Sequence, residues 1–153
     1  MEKTLAFLVI CAWLGACSGS TVNTATYATM DEARAAGAVA RGWVPASLPP
    51  DAYELRTAYD VGGGRRWGLF NFRPADEAAL RQALAPQEVS IAGVEMDIPA
   101  RIEWWPVQLR GRLDEDRILA TGLRGYRSAD DAFTFLVNWK QGRGYYWRRV
   151  NAE

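Results

Sequence analysis

Tyr53-Glu54-Leu55-Arg56-Thr57-Ala58-Tyr59, then Gly62-Gly63-Gly64, then Trp67-Gly68-Leu69-Phe70-Asn71-Phe72, is the stretch that decides the fold. Tyr53, Leu55, Thr57 and Tyr59 alternate with Glu54, Arg56 and Ala58, the period of a strand with one buried face. Three glycines turn the chain, and Trp67, Leu69, Phe70 and Phe72 carry it back. Local signals alone predict a hairpin.

The same pattern returns near the C-terminus. Phe133, Phe135, Val137 and Trp139 share one strand face, residues 140–144 turn, and Tyr145 to Val150 come back as a second hairpin. Before the first hairpin, Thr29-Met30-Asp31-Glu32 has the Thr and the Glu three residues later of a capping box. It predicts a helix with a small face of Ala33, Ala36, Gly37 and Ala40, stopped at Gly42. Trp43-Val44-Pro45 and Leu48-Pro49-Pro50 then read as a rigid connection, because proline fixes φ and extends the residue before it.

After the first hairpin, Pro74 suits a helical first turn. Asp76 and Glu77 lie near its positive end, and Leu80, Ala83 and Leu84 recur at helical spacing before Pro86. Residues 89–109 read as irregular, with one short strand or hairpin, since Pro106 argues against a central strand. Asp114-Glu115-Asp116 reads as an exposed turn, and Ser128-Ala129-Asp130-Asp131 as a turn or short cap. The expected class is α+β: an antiparallel sheet of two hairpins, two helices on one face, and a loop-rich insert between them.

Composition excludes several chemistries. Lys+Arg and Asp+Glu are each 18 in 153 residues, so no net charge recruits nucleic acid. There is no histidine, which removes Ser-His-Asp and Cys-His nucleophile systems, His-based zinc sites and the usual near-neutral proton shuttle. The two cysteines, Cys11 and Cys17, both lie at the N-terminus, so the folded domain has no internal disulfide to rely on. No cofactor, metal site or catalytic residue is expected, and the chain reads as a non-enzyme.

At the N-terminus, Lys3 precedes an apolar run from Leu5 to Leu14, too short for a permanent membrane span, which ends in Leu14-Gly15-Ala16-Cys17. This resembles the bacterial lipoprotein signal with its lipobox. The resemblance implies removal of residues 1–16 and a mature protein that begins at an acylated Cys17. Ser18, in place of the Asp that favours inner-membrane retention, then implies the outer membrane, facing the periplasm. More than one acyl chain holds such a protein at the bilayer, at about 0.8 kcal/mol per buried CH₂. Residues 17–27, rich in Ser, Thr, Asn and Ala, read as a flexible linker, and residues 28–153 as one domain. The mature chain, with Arg41-Gly42-Trp43-Val44-Pro45, Trp104-Trp105-Pro106 and Tyr145-Tyr146-Trp147, is also similar to an uncharacterised family of small proteobacterial lipoproteins. That likeness implies an address and a fold and carries over no catalytic residue.

Candidate binding residues cluster at Trp104-Trp105-Pro106, with Arg101, Glu103 and Arg110 nearby. Aromatic faces beside arginines suit stacking on sugars or anchoring a protein partner, and the alternative is that the rings fill the core. Trp43 and Trp67 read as core. Gly62-Gly63-Gly64-Arg65-Arg66 has glycines and cations for a phosphate but lacks the Lys-Ser/Thr and following helix of a P-loop, so it reads as a turn. Arg148-Arg149, Arg110 and Arg112 read as solvated surface. The expected function is a membrane-anchored binding or assembly module for an envelope protein or a glycan. Two alternatives stay open: a glycan-directed hydrolase pairing Glu103 with an Asp, and an inhibitor or immunity-type module presenting the Gly62 or Asp114 loop.

Overall fold

Both predicted hairpins are present in the computed structural model, which describes residues 21–148. In chain order the strands are β1 Val22–Thr29, β2 Tyr53–Asp60, β3 Arg66–Asn71, β4 Leu84–Glu88, β5 Glu95–Met96, β6 Gly111–Arg112, β7 Arg124–Ser128, β8 Phe133–Asn138 and β9 Arg143–Arg148. The helices are α1 Met30–Ala35, α2 Glu77–Ala83 and α3 Glu115–Ala120. Seven strands form one sheet in the order β1-β2-β3-β9-β8-β7-β4, every neighbouring pair antiparallel, and β5 and β6 form a separate two-stranded ladder.

The α+β class holds, but the sheet is wider than two hairpins. The hairpins β2–β3 and β8–β9 join through β3 and β9, and β1, β7 and β4 extend the sheet outward. β1 corrects the linker reading for residues 22–27: this run of Thr, Asn and Ala pairs with β2 from Val22↔Asp60 to Thr29↔Tyr53. As an edge strand it buries Val22 and half-buries Tyr27, and its threonines suit a pleated surface, so it shows no apolar alternation. β4, the other edge, accommodates Pro86 because an edge strand has one unpaired side. The proposed lipidation residue, Cys17, and the signal segment lie outside the described residues.

α1 begins as the sequence indicates. Thr29 Oγ1 accepts from the Glu32 N–H (3.2 Å), and the Glu32 carboxylate reaches back to the Ala28 N–H (2.8 Å). It is shorter than expected, because Gly37 takes φ +76° and closes it: the N–H of Gly37 donates to Arg34 and that of Ala38 to Ala33, the paired bonds of a Schellman cap. α2 is preceded by a single 3₁₀ turn at Pro74–Asp76 and gives way to β4 at Leu84. Asp114-Glu115-Asp116 is not an exposed turn. Asp114 caps α3 by accepting from the Arg117 N–H (3.2 Å), and Glu115 accepts from Ser90 and from the Ile91 N–H.

Each face of the sheet has its own core. On one, Met30 and Ala33 of α1, Leu80 of α2, and Val44 and Leu48 of the proline-rich connection cover Leu55, Phe70, Phe135, Val137 and Tyr146. On the other, the insert contributes Ile91, Met96, Ile102, Trp105, Leu109, Leu113, Ile118 and Leu123 over Ala58, Trp67, Leu136 and Trp147. The two-helix layer is therefore as expected, while the insert is a second layer rather than a surface loop. It covers its face only in part.

Candidate functional site

The part of that second face left open is a groove of about 460 Å³, lined by Thr26, Tyr27 and Ala28 of β1, Glu54 and Arg56 of β2, Leu69 and Asn71 of β3, and Arg143 and Tyr145 of β9, with Trp104 from the insert. The register explains how distant residues meet: Asn71 lies opposite Arg143, and Leu69 opposite Tyr145, across the β3–β9 ladder. Their side chains stand on one face because strand side chains alternate.

A hydrogen-bonded chain runs across the floor. The Arg143 Nε donates to Asn71 Oδ1 (2.9 Å), and Asn71 Nδ2 donates to the Glu54 carboxylate (3.1 Å). Asn71 is buried and satisfied at both ends of its amide. Glu54 sits at a β-bulge, where Tyr53 pairs with Asn71 but the next registered pair is Arg56 with Leu69. Its φ of +48° is a left-handed conformation usually given to glycine at such a bulge. Arg56 makes no ion pair among the described residues. The groove thus offers two guanidinium groups, one carboxylate, and the rings of Trp104 and Tyr145.

The predicted binding residues separate into three places. Trp104 is half-buried and lines the groove. Trp105 does not: it is 1% exposed, its indole N–H donates to the Leu109 carbonyl (2.8 Å), and it packs edge-on to both Trp104 and Tyr145. It backs the groove's rings instead of presenting one. Arg110 is likewise structural, donating to the carbonyls of Ile98, Ile102 and Trp105 and tying the insert together. Arg101 and Glu103 are exposed and line a separate open recess with Val22, Asn23 and Thr24, where no second carboxylate is found. Trp67 is core, whereas Trp43 is half-buried and stacked on Tyr59, with ring centroids 3.7 Å apart.

The glycine turn holds its own anion. Asp60 accepts from Gly62 N–H and from Arg65, whose guanidinium also reaches Asp97 (3.3 Å). Burial alone would raise the Asp60 carboxyl, but the hydrogen bonds from Arg65, Gly63 and Gly62 outweigh it and hold the group below its ordinary range. A phosphate has no place there.

Sequence reasoning missed Glu54, Asn71 and Arg143. Glu54 and Asn71 look like the solvent side of a strand and Arg143 like part of a turn, and only the long-range pairing of β3 with β9 brings Asn71 and Arg143 together. The fold and groove define an α+β domain with an open cleft on a partly covered sheet. Residues 21–71 match the family model of the YbbD head domain, a third of the chain that spans β1 to β3 and supplies seven of the ten residues lining the groove. No curated protein and no solved structure matches the chain.

Proposed function

We propose that the protein is a lipid-anchored binding module of the bacterial envelope, held at the outer membrane through Cys17 and facing the periplasm. Its ligand seats in the groove beside Trp104. The observation that carries this reading is the Glu54–Asn71–Arg143 chain, assembled on the groove floor from three strands, with Glu54 kept in a strained conformation to complete it. Strain at a bulge persists where surrounding structure over-determines it, which is characteristic of ligand sites.

The chemistry of the groove favours a glycan that carries a carboxylate. Planar hydrogen-bonding groups beside the faces of Trp104 and Tyr145 suit a sugar ring, and Arg56 and Arg143 outnumber Glu54. No pair of acids faces across the groove, so binding rather than hydrolysis is the reading. A protein partner is the second reading, supported by Val107, which is 82% exposed on the same insert as Trp104.

The test is binding of solubilised peptidoglycan fragments to the full chain. Arg143→Ala and Trp104→Ala are each expected to weaken it about tenfold, roughly 1.4 kcal/mol, while each lowers stability by no more than about 1–2 kcal/mol. Undiminished binding in both variants contradicts the groove. Absence of glycan binding together with capture of one envelope protein favours the second reading.

A further inference from the structure

The end of the sheet where β1 begins carries features that the groove does not use. Val22 pairs with Asp60, and the Val61 N–H donates to the Thr21 carbonyl (3.1 Å), so the chain enters the fold beside the β2–β3 turn. The tip of that turn is apolar and uncovered: Val61 is 63% exposed and is followed by three exposed glycines. At the same end, Arg66 on β3 and Arg148 on β9 lie directly opposite each other, and neither forms an ion pair among the described residues. The Arg66 Nε is buried with no hydrogen-bond partner.

Like charges directly opposite in a ladder repel, and a buried guanidinium nitrogen without an acceptor is costly. Burial, and then the Arg148 charge, lower the Arg66 guanidinium from its ordinary value. An anion shared by the two arginines offsets their repulsion, and a phosphate matches guanidinium geometry well. The anchor decides which phosphate. From Cys17 to Thr21 is four residue steps, at most about 14 Å of chain. Acyl chains on Cys17 therefore keep the neighbouring turn within that reach of the bilayer.

We propose that this end of the sheet is the membrane-facing surface: Val61 and the glycine turn enter the headgroup layer, and Arg66 and Arg148 together hold a phospholipid phosphate. The proposal rests on the Cys17 anchor. It seats the domain on the membrane and turns the remainder of the sheet toward the periplasm.

The test uses the full-length lipidated protein in vesicles of phosphatidylethanolamine and phosphatidylglycerol, with a fluorophore at Val61→Cys or at Lys140→Cys. Lys140 lies in the turn between β8 and β9, at the far end of the sheet. A lipid-borne quencher is expected to act roughly threefold more strongly at position 61, since an interfacial group sits in the headgroup layer. Arg66→Gln with Arg148→Gln should remove about half of that difference. The mass of the N-terminal fragment reads acylation independently. Equal quenching at both positions with Cys17 acylated overturns the surface and leaves the anchor standing. Quenching at position 61 that is unchanged by the double variant overturns the phosphate contact, and an unmodified Cys17 overturns anchor and surface together.

Discussion

The ring of Tyr146 on β9 lies over Gly68 on β3, so close that a β-carbon at position 68 would come 1.9 Å from Tyr146 Cζ. The exchange is reciprocal one step along the ladder, where Phe70 on β3 covers Gly144 on β9 and a β-carbon would meet Phe70 Cζ at 2.4 Å. Each strand lends a gap to the other's aromatic ring. The Tyr146 hydroxyl then donates to the Trp43 carbonyl (2.9 Å), tying the proline-rich connection onto the sheet. Burial pushes the Tyr146 phenol far above its ordinary range, so it stays a donor at every accessible pH. This junction of the two hairpins places Asn71 beside Arg143 in the groove on the opposite face.

Gly68→Ala is accordingly expected to destabilise the fold by about 3 kcal/mol or more, because the ring it displaces has no free volume to enter. Tyr146→Phe keeps the ring and loses one hydrogen bond, at about 1 kcal/mol. Thr57 still donates to the same Trp43 carbonyl (3.0 Å). Urea denaturation of the two variants checks the order, and equal losses would contradict the packing account.

Trp104 and Trp105 should part company on truncation. Trp105→Ala empties a buried aromatic site and should cost about 3–5 kcal/mol. Trp104→Ala should cost well under half of that and act mainly on ligand retention. Thermal unfolding of the pair separates them, and a reversed order would put the wrong ring in the groove.

Glu54→Gly relieves a left-handed backbone worth about 1–2 kcal/mol and adds about 0.5–1 kcal/mol of unfolded-state entropy. Stability should therefore stay within about 1 kcal/mol of the parent, the relieved strain offsetting the lost hydrogen bond to Asn71. Glu54→Ala keeps the strain, loses the same bond, and should be the less stable of the two by about 1 kcal/mol. Ligand binding should fall in both, which separates the carboxylate's role from the backbone's.

Acid should weaken the fold through Asp60. Its folded value lies below the ordinary 3.8, so its contribution is complete above that value and is lost as pH falls through the folded one. Asp130 acts in the same direction, held down by the Ser128 hydroxyl and the Ala132 N–H. The thermal midpoint should drop as pH falls below about 4, and Asp60→Asn should flatten part of that drop. An unchanged slope would mean the turn does not depend on this carboxylate.

Much of the sheet was legible locally. The alternation of Tyr53, Leu55 and Thr57 and of Phe133, Phe135 and Val137 marks β2 and β8 directly, and the Thr29–Glu32 cap marks the start of α1. β1 was not legible, because an edge strand that fully buries only Val22 has the composition of a linker. The insert hid a core for a related reason: Ile91, Met96, Ile102, Leu109 and Ile118 are spaced for neither helix nor strand, and they converge only once a sheet lies beneath them. The site was the least legible part. Trp104 was accessible to sequence reading as an aromatic in a polar neighbourhood, but Asn71 and Arg143 are 72 residues apart and meet only by ladder register.

The most direct test of the groove as a ligand site is in-cell photo-crosslinking of the full-length protein from a probe at position 104, with a probe at Gln82, exposed on α2, as control. The account predicts a glycan-containing adduct from position 104 that disappears in Arg143→Ala, and none from position 82. Equal capture from both positions, or a position 104 adduct indifferent to Arg143, would contradict it.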